Sequence, residues 1–216
     1  VYLSNKHIFS KRAECMLEKC DPAFYKSSIL CLIDKAINPK LKNVFTEGVI
    51  LINDETYVSE ITDPEKLATL LASIEEAAAD IPIVFPVHPR TRQIIDKFKI
   101  KSKNILMIDP QGYLEFIYLV QNAKGIITDS GGITEEATVL HIPCLTLRNS
   151  TERPETVTLG TNELIGDDLF KLKLYLRKII EGDWKNGTVP PLWDGNTSVR
   201  IIEALSSIYS SEQITV

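Results

Sequence analysis

From Gly48 onward the chain switches repeatedly between two hydrophobic periods. Apolar, β-branched runs at 49–52, 83–87, 105–108, 125–128 and 143–147 have strand length. Between them, 64–79, 90–98 and 112–122 place apolar residues at spacings of three and four, the period of a helix with one buried face. Strands apolar throughout, alternating with helices, predict a parallel sheet covered on both sides, an α/β Rossmann-like fold. Two more helices follow at 169–181 and 198–210, separated by a loop at 183–196 that holds both tryptophans. Residues 1–43 are charged, cysteine-bearing and helix-prone, with breaks at Asp21-Pro22 and Asn38-Pro39, and they read as a helical arm or linking segment. The domain proper is placed at 44–216.

Candidate chemistry concentrates between Lys124 and Glu155. The run Gly125-Ile126-Ile127-Thr128 leads into Asp129-Ser130-Gly131-Gly132, and a helical pattern follows, so the glycines fall where a strand meets a helix N-terminus. Glycines let an anion approach the backbone, the first N–H groups of a helix point outward, and Ser130 adds a hydroxyl donor. A second reading stands beside this one, in which Asp129 or Ser130 caps a packing helix and the glycine pair makes a tight turn. Glu135 and Glu136 are placed in the first helical turn, where one of them faces a neutral polyhydroxylated group such as a ribose. The next strand, 143–147, ends at Arg148 and opens into the polar loop 149–153, which closes with Arg153. Two strand ends carrying such groups suit a nucleotide diphosphate, since ligands of open parallel sheets collect at the carboxyl ends of strands. Each arginine has an alternative as a surface partner of Glu152 or Glu155.

Several longer motifs carry a family resemblance: Asp109-Pro110-Gln111-Gly112-Tyr113-Leu114-Glu115-Phe116, the segment DSGGITEE from Asp129, the segment RNSTERPE from Arg148, and Trp193-Asp194-Gly195. From about 49 to 205 the chain resembles the C-terminal domain of the non-hydrolysing UDP-N-acetylglucosamine 2-epimerases. The resemblance implies one half of a glycosyltransferase-B type fold, two Rossmann-like domains with the active site between them. It further implies interconversion of UDP-N-acetylglucosamine and UDP-N-acetylmannosamine, a homodimer or a separately supplied N-terminal domain, and a place in polysaccharide precursor synthesis. By the same resemblance the backbone and hydroxyl of Ser130, with Gly131 and Gly132, hold the UDP diphosphate, and Glu136 holds the ribose hydroxyls. Phe116 lies beside the uracil, Gln111 and Tyr113 share its loop, and Arg153 falls near the sugar-phosphate end. Core packing is the competing role for Phe116, given Leu114, Ile117 and Leu119 around it. His88, in Val87-His88-Pro89, sits at a strand end where the family also has a histidine; donation to phosphate and simple orientation by neighbouring backbone both stand. His141 is read as capping the C-terminal carbonyls of the preceding helix, and Asp194-Gly195-Asn196-Thr197 as a cap and turn.

One departure matters for activity. Family members carry His-Arg-x-Glu-Asn after the first strand of this domain, whereas this chain reads Asn53-Asp54-Glu55-Thr56-Tyr57 up to Glu60. The main acid/base carboxylates of the family belong to the N-terminal domain. No catalytic residue is therefore assigned here, and the alternatives are a UDP-sugar-binding module without catalysis or half of a UDP-sugar-dependent glycosyltransferase.

Composition narrows the setting. At 216 residues the chain accommodates one domain and an arm, and its start at Val1 reads as a processed or truncated product. A net charge of −5 argues against nucleic-acid binding by bulk electrostatics. Cys15, Cys20, Cys31 and Cys144 form no CxxC pair and have no histidine at ligand spacing. A reduced, cytoplasmic setting with neither metal nor cofactor is expected, and no apolar run reaches the roughly 20 residues of a membrane span.

Overall fold

The computed structural model describes residues 48–53 and 63–212. The expected arm at 1–43 and most of the departure at 53–60 lie outside them. The described strands are β1 (Val49–Asn53), β2 (Ile83–Pro86), β3 (Ile105–Ile108), β4 (Ala123–Thr128), β5 (Cys144–Thr146) and β6 (Asn162–Leu164). They form one sheet in the order β3-β2-β1-β4-β5-β6, with every neighbouring pair parallel. Between and after them run α1 (Pro64–Ala78), α2 (Pro89–Phe98), α3 (Tyr113–Asn122), α4 (Gly131–Leu140), α5 (Pro154–Thr158), α6 (Leu169–Glu181) and α7 (Thr197–Glu212).

The strand sequences explain why this sheet is sandwiched. In β1, Ile50 and Ile52 point to one apolar layer with Leu67, Leu71 and Ile74 of α1 and Leu172 and Leu176 of α6, while Val49 and Leu51 point to the other. The second layer takes Leu119 and Val120 from α3 and Ala137 from α4. The period of two thus divides one apolar strand between two cores. Side chains such as Phe85, Ile127 and Leu145 are fully enclosed, and each contributes on the order of 1.5–3 kcal/mol by leaving water. The order reverses between β1 and β4: chain growth runs toward β3 on one side and toward β6 on the other. A crevice is expected outside the strand carboxyl ends at that reversal.

Local signals set the helix ends. Asp63 caps α1, its carboxylate accepting the Glu65 N–H at 3.0 Å ahead of Pro64, and Asp168 caps α6 through the Lys171 N–H at 2.9 Å. Gly182 ends α6 at φ 80°. The expected boundaries hold within a few residues, with three differences. β4 begins at Ala123, directly after α3, because Val49 pairs with Ala123 and Ile50 with Gly125, leaving a bulge at Lys124. The short helix α5 and the strand β6 were not anticipated. β6 reads Asn-Glu-Leu, too polar and too short to register as a buried strand.

Candidate functional site

At the reversal point β4 delivers Thr128, Asp129 and Ser130, all buried, to the start of α4. The Thr128 hydroxyl oxygen accepts from Asn53 Nδ2 at 3.1 Å and from the Ser130 N–H at 2.9 Å, fastening the end of β1 to this corner. Ser130 is the N-cap by position, in extended conformation, yet its side chain makes no capping bond to the helix. Its own N–H is engaged by Thr128, so the outward donors of the corner are its hydroxyl and the first-turn N–H groups of Gly131 and Gly132, which have no acceptor within the helix.

The two glycines do not form a tight turn. Neither has a positive φ; a Cβ on Gly131 would meet nothing within 4 Å, and one on Gly132 only the Ser130 hydroxyl at 3.9 Å. Gly160 shows the contrast, since a Cβ there would lie 2.6 Å from the Thr156 carbonyl oxygen. Backbone geometry and packing inside the domain thus leave positions 131 and 132 free to carry side chains. What side chains would remove is the open space over the N–H donors.

The facing wall comes from the end of β5. Arg148 and the following loop bring Arg153 back over α4, where its Nε donates to Glu135 Oε1 at 2.8 Å and its Nη1 to the Glu152 carbonyl at 3.3 Å. The side-chain partner of Arg153 is therefore Glu135, in place of the Glu152 or Glu155 considered from sequence. The hydrogen bond and charge of Glu135 raise the guanidinium pKa above its ordinary value. Ser130, Gly131, Gly132, Glu135, Arg148 and Arg153 line a cleft of ≈ 240 Å³.

Glu135 and Glu136 fall in the second turn of α4, not the first as expected, because the helix starts at Gly131. Being about 100° apart around the axis, they diverge. Glu135 turns to Arg153, and Glu136 meets the Tyr113 hydroxyl at the N-terminus of α3. Tyr113 is 67% exposed, but partial burial of its hydroxyl end, followed by the charge and hydrogen bond of Glu136, raises its pKa. On the same side Phe116 is half-buried against the apolar layer that also includes Ile133 of α4, and Gln111 Nε2 donates to the Asp109 carbonyl at 2.6 Å. The candidates therefore divide into two groups. Ser130, Gly131, Gly132 and Arg153 share the cleft, while Glu136, Tyr113, Phe116 and Gln111 lie around the junction of α3 and α4.

His88 belongs to neither group. It is the N-cap of α2, its Nδ1 accepting the Arg90 N–H at 3.3 Å, so neighbouring backbone orients it. His141 ends α4 in the left-handed region at φ 59°; its backbone N–H reaches the Thr138 carbonyl, whereas its ring lies 3.2 Å from the Gly187 carbonyl oxygen. The expected cap of the α4 carbonyls is made by the His141 backbone N–H, while the ring turns toward the tryptophan loop. Asp194 accepts from the Asn196 N–H and from both terminal nitrogens of Arg200, which hold its carboxyl well below the usual range. Cys144 is enclosed, and burial pushes its thiol up to about 12, leaving it a core residue without nucleophilic character.

The fold and the cleft define a class, a Rossmann-like α/β domain with an open, donor-lined corner at its strand-order reversal. Residues 55–206 match the family model described as UDP-N-acetylglucosamine 2-epimerase, and the chain belongs to that family. The UDP-N-acetylglucosamine 2-epimerase of Methanocaldococcus jannaschii is 39% identical over 174 residues, 73% of this chain and 46% of that protein. That of Escherichia coli strain K12 is 39% identical over 149 residues, 66% of this chain and 40% of its own length. Among solved structures, the Methanocaldococcus jannaschii enzyme in complex with UDP-GlcNAc and UDP superposes with a TM-score of 0.64 at 35% identity, over 83% of this chain and 51% of that one. The Neisseria meningitidis enzyme bound to UDP-GlcNAc gives 0.66 at 28% identity, over 83% and 52%. The chain spans less than half the length of these curated relatives, and its sheet corresponds to one half of a glycosyltransferase-B type fold.

Proposed function

We propose that this chain is the UDP-binding half of a UDP-N-acetylglucosamine 2-epimerase, residues 44–216 forming the nucleotide domain. The observation that carries the reading is the open space over the Gly131 and Gly132 donors, faced by Arg148 and Arg153. Packing inside the domain accounts for no side chain's absence there, and a diphosphate fits both the donors and the cations. The Ser130 hydroxyl and the two glycine N–H groups take phosphate oxygens, with Arg153 toward the sugar-linked phosphate. Around α4, Glu136 accepts from the ribose hydroxyls, Tyr113 and Gln111 border the nucleoside, and Phe116 offers its partly exposed edge to the uracil. His88, whose Nδ1 caps α2, keeps its Nε2–H for donation to a phosphate at the strand edge.

Epimerisation at C2 requires proton transfer and passage through a glycal after UDP leaves. This chain supplies the UDP end of that chemistry, and the acid/base groups belong to a further N-terminal domain, on the same or another polypeptide. A second reading, UDP-sugar binding without turnover, is favoured by the missing His-Arg pair in residues 53–60. A cytoplasmic setting, polysaccharide precursor synthesis and a homodimer are part of the same proposal. No described helix is long and apolar enough to cross a membrane.

The test couples binding to product analysis. UDP at about 100 times its Kd is expected to stabilise the chain by about 2.7 kcal/mol, read as a raised melting temperature. Incubation with UDP-N-acetylglucosamine then separates the readings: UDP-N-acetylmannosamine supports the epimerase, binding without product supports the module, and a glycosidic product with an added acceptor supports a glycosyltransferase. An unchanged melting temperature and no calorimetric heat with UDP would contradict all three.

A further inference from the structure

Behind the Arg153 loop lies a run of buried polar groups to which the proposed function assigns no role. The Thr146 hydroxyl of β5 donates to Asn162 Oδ1 of β6 at 2.6 Å, Asn162 Nδ2 donates to the Thr156 hydroxyl oxygen of α5 at 3.2 Å, and the Thr156 hydroxyl donates to the Arg153 carbonyl at 2.8 Å. Thr146 is 2% exposed and Thr156 and Asn162 are fully enclosed, so each bond is made away from water, where a lost partner is costly. The series has one direction. The single proton of Thr156 goes to Arg153, so Thr156 can only accept from Asn162; the amide nitrogen of Asn162 must face it, and the amide oxygen is left for Thr146. The Arg153 N–H donates to Thr151 Oγ1 at 3.0 Å, and the Thr156 N–H reaches the same Arg153 carbonyl at 3.0 Å. Arg153 itself has an irregular backbone, φ −126° and ψ 66°, which no regular ladder maintains.

We propose that Asn162 and Thr156 are positioning residues for Arg153: the buried series fixes the Arg153 peptide against the sheet edge and so aims its guanidinium across the cleft at Glu135 and at an incoming anion. The proposal rests on the reading of the cleft as a diphosphate site and deepens it, placing one determinant of anion affinity on β6, outside the cleft lining. Because a guanidinium sits several bonds from its Cα, a small tilt of the Arg153 peptide displaces the charged end by more than the length tolerance of a charge-assisted hydrogen bond.

Asn162→Leu would leave the buried Thr146 hydroxyl without its acceptor and the Thr156 hydroxyl without its donor and endanger folding, so the Thr156 pair carries the test. In the 216-residue chain, Thr156→Val, which keeps the shape and removes the hydroxyl, is expected to weaken UDP binding ~5-fold, and Thr156→Ser to stay within ~2-fold of the parent. In an Arg153→Ala background, Thr156→Val is expected to change the UDP affinity less than ~2-fold, because its effect runs through Arg153. Without ligand, exchange of the Arg153 Nε–H that donates to Glu135, followed by NMR, is expected to quicken several-fold in Thr156→Val and not in Thr156→Ser. Equal losses in both backgrounds, a Ser variant as weak as Val, or unchanged Nε–H exchange would overturn the proposal. If the parent chain fails to bind UDP, the proposed function falls and the Nε–H exchange alone decides whether the series positions Arg153.

Discussion

Gly131→Leu is expected to lower UDP affinity by roughly 100-fold or more while leaving the melting temperature equal to or above that of the parent. The two halves of this expectation come from the same place. A Cβ at position 131 meets nothing within 4 Å and the backbone there has no positive φ, so the substitution introduces no strain. Leaving glycine at a helical position removes an entropic cost of roughly 0.5–1 kcal/mol. The leucine side chain, however, occupies the space above the first-turn donors. Two charge-assisted hydrogen bonds to phosphate, at roughly 1.5–3 kcal/mol each, are then lost. A glycine held by packing behaves oppositely: at Gly187 a Cβ would lie 2.5 Å from the Gly160 carbonyl carbon, and the fold suffers before any ligand is added. Calorimetric titration with UDP beside a thermal melt measures both halves. An intact Gly131→Leu chain that binds UDP as tightly as the parent would sink the diphosphate assignment.

Arg153→Ala is expected to weaken UDP binding roughly 10-fold or more, and to weaken uridine binding hardly at all. The guanidinium lies on the Glu135 side of α4, whereas the residues proposed for the nucleoside lie on the Glu136 side. Arg153→Lys recovers part of the loss, because an ammonium supplies the charge without the planar fork that bonds Glu135 and a phosphate oxygen together. The expected salt dependence separates this from a packing defect. Rising ionic strength narrows the gap between parent and variant if Arg153 acts on a partly exposed anion, and leaves it unchanged if the arginine merely braces the loop. Comparison of UDP and uridine affinities at two salt concentrations checks the prediction.

How much of this site is legible in the sequence depends on the physical range of each signal. The strand-to-helix corner at 125–132 is legible because apolar period, glycine pair and helical pattern are all local, and the sheet follows from the alternation of such segments. The two-period pattern of β1 and β4 also carries the strand directions, since continuous apolar strands demand cover on both faces. The division of Glu135 from Glu136 is not legible without the helix start: moving that start by a residue rotates every side chain about 100°, and an N-cap at Ser130 places both carboxylates one turn later than the sequence suggests. The pairing of Arg153 with Glu135 joins two elements whose approach is set by the register of β4 with β5, Thr128 opposite Thr146, and nearby acidic residues in sequence are the wrong guide. Asn162 was missed for a related reason. A polar residue in a three-residue strand resembles loop, and only the buried partners on β5 and α5 give it a structural meaning. A proline at the first helical position followed by Glu155 is the local signal by which α5 could have been found. His88 shows a case where both readings are compatible: its Nδ1 caps α2, an arrangement read from the adjacent Pro89-Arg90, and Nε2 is left for a ligand.

In the proposed binding mode the backbone donors of Gly131 and Gly132, beside the Ser130 hydroxyl, receive the diphosphate of UDP. The most direct measurement is the set of amide proton and nitrogen NMR shifts recorded as UDP, and separately uridine, is added to the isotopically labelled chain. The Gly131 and Gly132 amides are expected to move strongly with UDP and little with uridine, with the N-terminus of α3 responding to both. Saturable UDP binding that leaves the two glycine amides unmoved would contradict the proposed binding mode.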